Sequence, residues 1–164
     1  MQWVFTRLPV LAGAAVLCAC VTQPHDITNR TAIIQRTANG VAHISAPDAE
    51  TLAYGQAYAY AQDNICMTAD QLVTVRGERS RYFGGATQGL LARRMLPNEQ
   101  SDAFIAAHMN DQALEQAWTA ASPESQAMAR GAVAGYNRYL ADQAGKLPPA
   151  CNDKPWVRPM TLAE

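Results

Sequence analysis

The chain has 164 residues, 49% hydrophobic and 16% charged, a composition that excludes an intrinsically disordered chain. Thirteen Lys and Arg against 14 Asp and Glu leave a formal charge of -1, so nothing implies a basic face for nucleic acid. Domains most often hold roughly 100 to 150 residues, which leaves room for one core and not for two.

Residues 1–7 carry one basic side chain, Arg7, and residues 8–17 are apolar or small apart from Pro9. No acid occurs before Asp26. This is the layout of an export signal, too short for the roughly 20 apolar residues of a membrane span. Leu17-Cys18-Ala19-Cys20 closes the stretch in the manner of a bacterial lipobox, which makes Cys20 the candidate lipid attachment site. Ordinary cleavage near Ala19 is the alternative. The expected organisation is a signal peptide over residues 1–19 and one domain over residues 20–164, exported to the periplasm, with membrane contact only through a lipid on Cys20. Beyond Cys20 only Cys66 and Cys151 remain. In an oxidising compartment an even pair reads as a disulfide, with two buried free thiols as the alternative. No C-x-x-C spacing supports zinc.

Thr31–Arg36 is rich in β-formers, Asn39-Gly40 is a hairpin turn signal and Val41–Ile44 is a second short strand, so the elements open with a β-hairpin. From Thr51 the period becomes helical, with Tyr54, Tyr58, Ala61, Ile65 and Leu72 on one face and Gln56, Asp63 and Asp70 on another. Asp48 or Ser45 caps this helix, which runs over Ala49–Arg76 and stops at Gly77. A charged turn, Arg76–Gly85, and a loop through Pro97 follow. Ser101 or Asp102 opens a second helix with Phe104, Ile105, Met109, Leu114 and Trp118 approximating one face. Ser122-Pro123-Glu124 starts a third: a capping hydroxyl, a proline at the first helical position and an acid in the first turn. Its face is Met128, Val133, Tyr136 and Leu140, and Gly145 with Pro148-Pro149 ends it near Ala144. Lys146–Glu164 reads as an extended strap whose last four residues resemble a helix beginning.

No self-contained catalytic site is legible. There is no G-x-S-x-G elbow, and the histidines are His25, His43 and His108. His25 falls in the mature N-terminal tail, His43 reads as a structural, hydrogen-bonded histidine in a strand, and His108 as a surface residue. Asp63 and Asp70 lie two helical turns apart, about 10 Å, too far for a carboxylate dyad, and read as polar anchors. Arg76, Arg79 and Arg81 beside Glu78 form either an anion site or a salt-bridged turn packed against another chain. Tyr54, Tyr58 and Tyr60 lack basic interleaving and read as packing residues. Asn29-Arg30-Thr31 fits the glycosylation triplet, an accidental match in a chain with a bacterial export signal.

Five ordered stretches carry a resemblance: R-T-A-N-G-V-A-H-I (Arg36–Ile44), Y-G-Q-A-Y-A-Y-A-Q-D-N (Tyr54–Asn64), V-R-G-E-R-S-R-Y-F-G (Val75–Gly84), G-Y-N-R-Y (Gly135–Tyr139) and K-P-W-V-R-P (Lys154–Pro159). Together they resemble the α-subunit of the penicillin acylase family. The third stretch and the positions of Cys66 and Cys151 resemble its branch of acyl-homoserine lactone acylases and aculeacin A acylase. Ala42 stands where that family usually has proline, and Gln56 departs from its glycine-rich pattern. The resemblance implies a mainly α chain with a short N-terminal β-hairpin, joined to a β-subunit from the same precursor that holds a four-layer αββα core. It implies an N-terminal nucleophile hydrolase that cuts itself into two chains and splits small acyl amides, N-acyl-homoserine lactones first and penicillin-type side-chain amides second. The nucleophile is then the first serine of the β-subunit. No catalytic, cofactor or metal residue is expected in this chain, and no cofactor in the enzyme. The rival reading is a non-catalytic helical lipoprotein that binds an envelope partner.

Overall fold

A computed structural model describes residues 31–164, so the expected export signal, Cys20 and His25 lie outside the described residues. Strands β1 (Ile33–Arg36) and β2 (Ala42–Ser45) form the expected antiparallel hairpin, with Ile34 opposite Ile44 and Gln35 opposite His43. The ribbon lies on helix α1 (Ala49–Val75) at Gly55, where a Cβ would stand 2.7 Å from the Ala32 methyl and 2.9 Å from Ile44. Arg36 latches the two together: its guanidinium donates to the Ala59 carbonyl, to Gln62 and, at 3.0 Å, to Asp63.

Helix α1 begins where Asp48 accepts the Thr51 N–H at 2.8 Å. It is kinked at Asn64, whose φ of -136° and ψ of 25° leave the helical region. After Val75 the chain turns through Gly77 at φ +63°, a conformation that suits glycine.

The segment expected to be a charged turn and a loop holds three elements. Helix α2 (Arg79–Phe83) is followed by a second antiparallel hairpin, β3 (Gln88–Leu91) and β4 (Arg94–Pro97). The expected second helix is two: α3 starts earlier, at Asn98, and ends at His108, and Asn110 then caps α4 (Asp111–Ala120) by accepting the Ala113 N–H at 3.0 Å. The capping asparagine breaks the run that the apolar spacing joined. Helix α5 (Pro123–Asp142) starts at the expected cap, with Ser122 accepting the Ser125 N–H.

Helices α1 and α5 form the principal contact, and it is made by backbone as much as by side chains. Gly131 faces the Glu50 carbonyl and Gly135 the Tyr54 carbonyl so closely that a Cβ on either glycine would overlap the oxygen. Because the glycines make the approach, Met128, expected on the buried face, is 41% exposed. Beside this crossing Ala61, Ile65, Leu72, Tyr136 and Cys151 form the core, with Trp156, Val157 and Met160 of the strap packed over it. A disulfide joins Cys66 of α1 to Cys151 of the strap. Among the described residues no helix is long and apolar enough to cross a membrane.

Candidate functional site

The arginine-rich stretch after α1 builds the most organised polar site among the described residues. Asp102 of α3 accepts the backbone N–H groups of Arg79 and Ser80 at 2.9 and 2.7 Å, which fixes the start of α2. Arg79 then turns inward. Its guanidinium donates to Asp70 at 2.9 Å, Thr74 at 3.0 Å and Asn98 at 3.0 Å, and lies over the Phe83 ring. Asn98, fully buried, donates in turn to the Gly84 carbonyl. Gly89 is the position at which the β3–β4 ribbon passes this group, because a Cβ there would stand 2.6 Å from both Arg79 and Asn98.

The other two arginines are also partnered within the chain. Arg76 pairs with Glu164 and donates to the Pro159 carbonyl, Arg81 lies 3.7 Å from Glu78, and Arg158 of the strap binds Glu78. The stretch is a salt-bridged joint between α1, α3 and the strap, not an open anion site. Asp63 and Asp70 each anchor an arginine, Arg36 and Arg79. His43, expected in a structural hydrogen bond, is exposed instead, because strand alternation sends Ile34 and Ile44 toward α1. His108 is a surface residue that stacks on Phe104, with Nδ1 2.8 Å from the Phe104 carbonyl. Tyr58 meets Tyr139 edge-on and donates to Asp142, whereas Tyr60 is 46% exposed.

The strap is held by Asn137 of the G-Y-N motif, whose side chain accepts the Met160 N–H at 2.7 Å and donates to the Met160 carbonyl at 2.9 Å. Trp156 of the P-W-x-x-P motif packs edge-on against Phe83. Replacing Asn137 by alanine strips both groups of Met160, so Asn137→Ala should cost about 2 kcal/mol. Faster hydrogen exchange at the Met160 amide, together with a lower unfolding midpoint, is the check.

Between joint and strap lies a notch lined by Val75, Arg76, Glu78, Met109, Arg158, Ala163 and Glu164. Arg76 Nη1, Arg158 Nε and the Tyr136 hydroxyl are buried without a hydrogen-bond partner among the described residues. Burial pushes the Tyr136 hydroxyl up to about 12, with Arg76 opposing the shift and Glu164 adding to it. A phenol favoured in its neutral form stabilises the fold fully below pH 10 and loses that contribution as pH rises toward 12. Tyr136→Phe should flatten this alkaline loss. Since the hydroxyl is unpartnered, the change should cost under about 1 kcal/mol at neutral pH, and thermal unfolding of both proteins across the range checks both effects.

Among the described residues no three His, Cys, Asp or Glu side chains gather as a metal site. What the geometry provides is a frame of two hairpins, a close helix pair and a tied-down strap.

That frame defines the class. It superimposes on the thermostable penicillin G acylase of Alcaligenes faecalis with a TM-score of 0.64 over 82% of this chain and 68% of that one, at 21% identity, so the fold is a penicillin acylase fold. The sequence model of the family described as penicillin amidase matches residues 31–161, and the chain belongs to that family. Relatives include the acyl-homoserine lactone acylase PvdQ of Pseudomonas syringae pv. tomato, 44% identical over 152 residues, and that of Pseudomonas putida, 45% identical over 154. Each match covers 92% of this chain and 19% of the relative. The aculeacin-A acylase of Actinoplanes utahensis is 34% identical over 93% of this chain and 20% of that protein. The chain thus spans about a fifth of the length of the curated relatives it matches.

Proposed function

We propose that this chain is the α-subunit region of an exported, self-processing amide hydrolase that deacylates N-acyl-homoserine lactones. The observation that carries the reading is 44% identity to an acyl-homoserine lactone acylase across 92% of the chain, motifs in order. In this reading the first serine of the β-subunit attacks the amide carbonyl, with its own α-amino group as base. The amide C–N bond breaks, homoserine lactone leaves with the transferred proton, and water then frees the fatty acid from the acyl-enzyme. The chain described here supplies no reacting atom; it wraps the β-subunit and positions the segment after the strap. Penicillin-type side-chain amides are the second substrate class of the proposal. Residues 1–19 direct export and are removed, and Cys20 carries the lipid anchor.

The test uses the full-length protein expressed with its own leader. Incubation with a long-chain N-acyl-homoserine lactone should release free homoserine lactone and fatty acid, and mass spectrometry should find two chains, the larger with an N-terminal serine. An intact two-chain protein that leaves the lactone untouched would remove the substrate assignment. A single unprocessed chain modified at Cys20 and inert toward every acyl amide would replace the enzyme by a lipoprotein scaffold.

A further inference from the structure

The β3–β4 ribbon turns apolar surface outward. Leu90 and Met95 are direct cross-strand partners, and at 59% and 58% they are the most exposed large apolar side chains among the described residues. At the turn between them Ala92 sits at φ +55°, left-handed backbone that costs an alanine roughly 1 kcal/mol or more. Arg93 and Arg94 follow, both exposed and neither in an ion pair among the described residues. The inner side of the ribbon rests on α3 and passes Arg79 and Asn98 at Gly89. The inner side of the ribbon is thus packed on a helix, whereas the outer side leaves an apolar pair uncovered beside a strained turn. An exposed apolar pair of this kind suits an interaction surface.

From this we infer that the outer face of the β3–β4 ribbon, with its turn, is a docking surface for the remainder of the polypeptide, with a counter-surface that is apolar opposite Leu90 and Met95 and places a carboxylate opposite Arg93 at the turn. The inference rests on the reading of the chain as one part of a longer hydrolase. Relatives of which this chain covers 19% supply a large body of protein to receive the ribbon. The tip chemistry suits a protein partner, since interfaces are enriched in Met and Arg. It does not suit a lipid surface, which is typically recognised by clusters of about 4 to 8 basic residues, whereas the tip has Arg93 and Arg94 and no aromatic side chain among Leu90–Leu96.

The experiment measures maleimide labelling of Met95→Cys in the purified full-length protein, with the unsubstituted protein as blank and the same variant unfolded in urea as reference. A covered tip should label at least tenfold more slowly folded than unfolded. Labelling less than tenfold slower than in the unfolded protein overturns the inference. Fast labelling in solution that is slowed by phosphatidylglycerol vesicles also overturns it and assigns the tip to lipid. A second variant, Arg93→Glu, tests the charge complementarity: it should speed labelling at Met95→Cys, and an unchanged rate removes the carboxylate from the proposed counter-surface. Lactone hydrolysis is assayed on the same preparation. Protection at the tip without hydrolysis leaves docking in place and fails only the substrate assignment.

Discussion

Gly131→Ala should lower the unfolding midpoint, although helix propensity alone favours alanine over glycine by about 1 kcal/mol inside a helix. At Gly131 an added methyl would overlap the Glu50 carbonyl oxygen and approach the Tyr54 nitrogen to 3.1 Å. Neither neighbour is a side chain that can swing away; both are backbone of α1, so the helices must separate and give up contact along their crossing. Overpacking typically costs about 1 to 3 kcal/mol, and because the obstacle is rigid the net loss belongs at the upper end, near 3 kcal/mol after the propensity gain. Gly135→Ala, which meets the Tyr54 carbonyl in the same way, should behave alike. Ala134→Gly at the exposed neighbour serves as the opposite control: it should cost only about 0.5 to 1 kcal/mol, the propensity term without a clash. Denaturant or thermal unfolding of the three variants decides the matter. If Gly131→Ala were stabilising, the helices would not cross on their glycines.

Local chemistry made some elements legible in the sequence and left others hidden. The first hairpin, the start of α1 at Asp48 and the start of α5 at Ser122 depend on residues within a few positions of one another, namely a turn, a capping carboxylate and a capping hydroxyl followed by proline. The β3–β4 hairpin was hidden because its turn uses Ala92 and Arg93, neither a turn-forming residue, and because its register depends on Gly89 clearing Arg79 from ten residues away. The break between α3 and α4 was hidden by apolar spacing that ran across it, though Asn110 was a signal that could have marked it. The kink at Asn64 has no proline or glycine to announce it.

The candidate site divides the same way. Arginines and acids could be counted along the chain, but which carboxylate held which guanidinium was a tertiary matter. Asp70 reaches Arg79 only because Gly77 turns the chain back, and Asp102 reaches α2 from 22 residues away. Gly135 and Asn137 were visible as a motif, yet their work, one admitting the Tyr54 carbonyl and the other clasping Met160, required the fold. The family motifs therefore mark the joints of this frame rather than any reacting group.

Removing the Cys66–Cys151 bond should destabilise the protein by about 4 kcal/mol. The two cysteines are 85 residues apart, so the cross-link restricts most of the described chain in the unfolded state, and the loop-entropy estimate for that separation is about 4 to 5 kcal/mol. Cys151 is fully buried and serine there would add a desolvation cost, so the informative variant is Cys66→Ala with Cys151→Ala. The folded strap keeps other anchors, namely Asn137 on Met160, Trp156 on Phe83 and Arg158 on Glu78. They should hold it in place at low temperature, so the variant should still fold, with a lower midpoint and a steeper denaturant dependence, because the unfolded chain freed of the cross-link exposes more surface. Dithiothreitol should lower the midpoint of the unsubstituted protein by a similar amount and leave the double variant unchanged. Were reduction to shift neither midpoint, the bond would contribute nothing, and the strap would be fixed by the notch and the asparagine clasp alone.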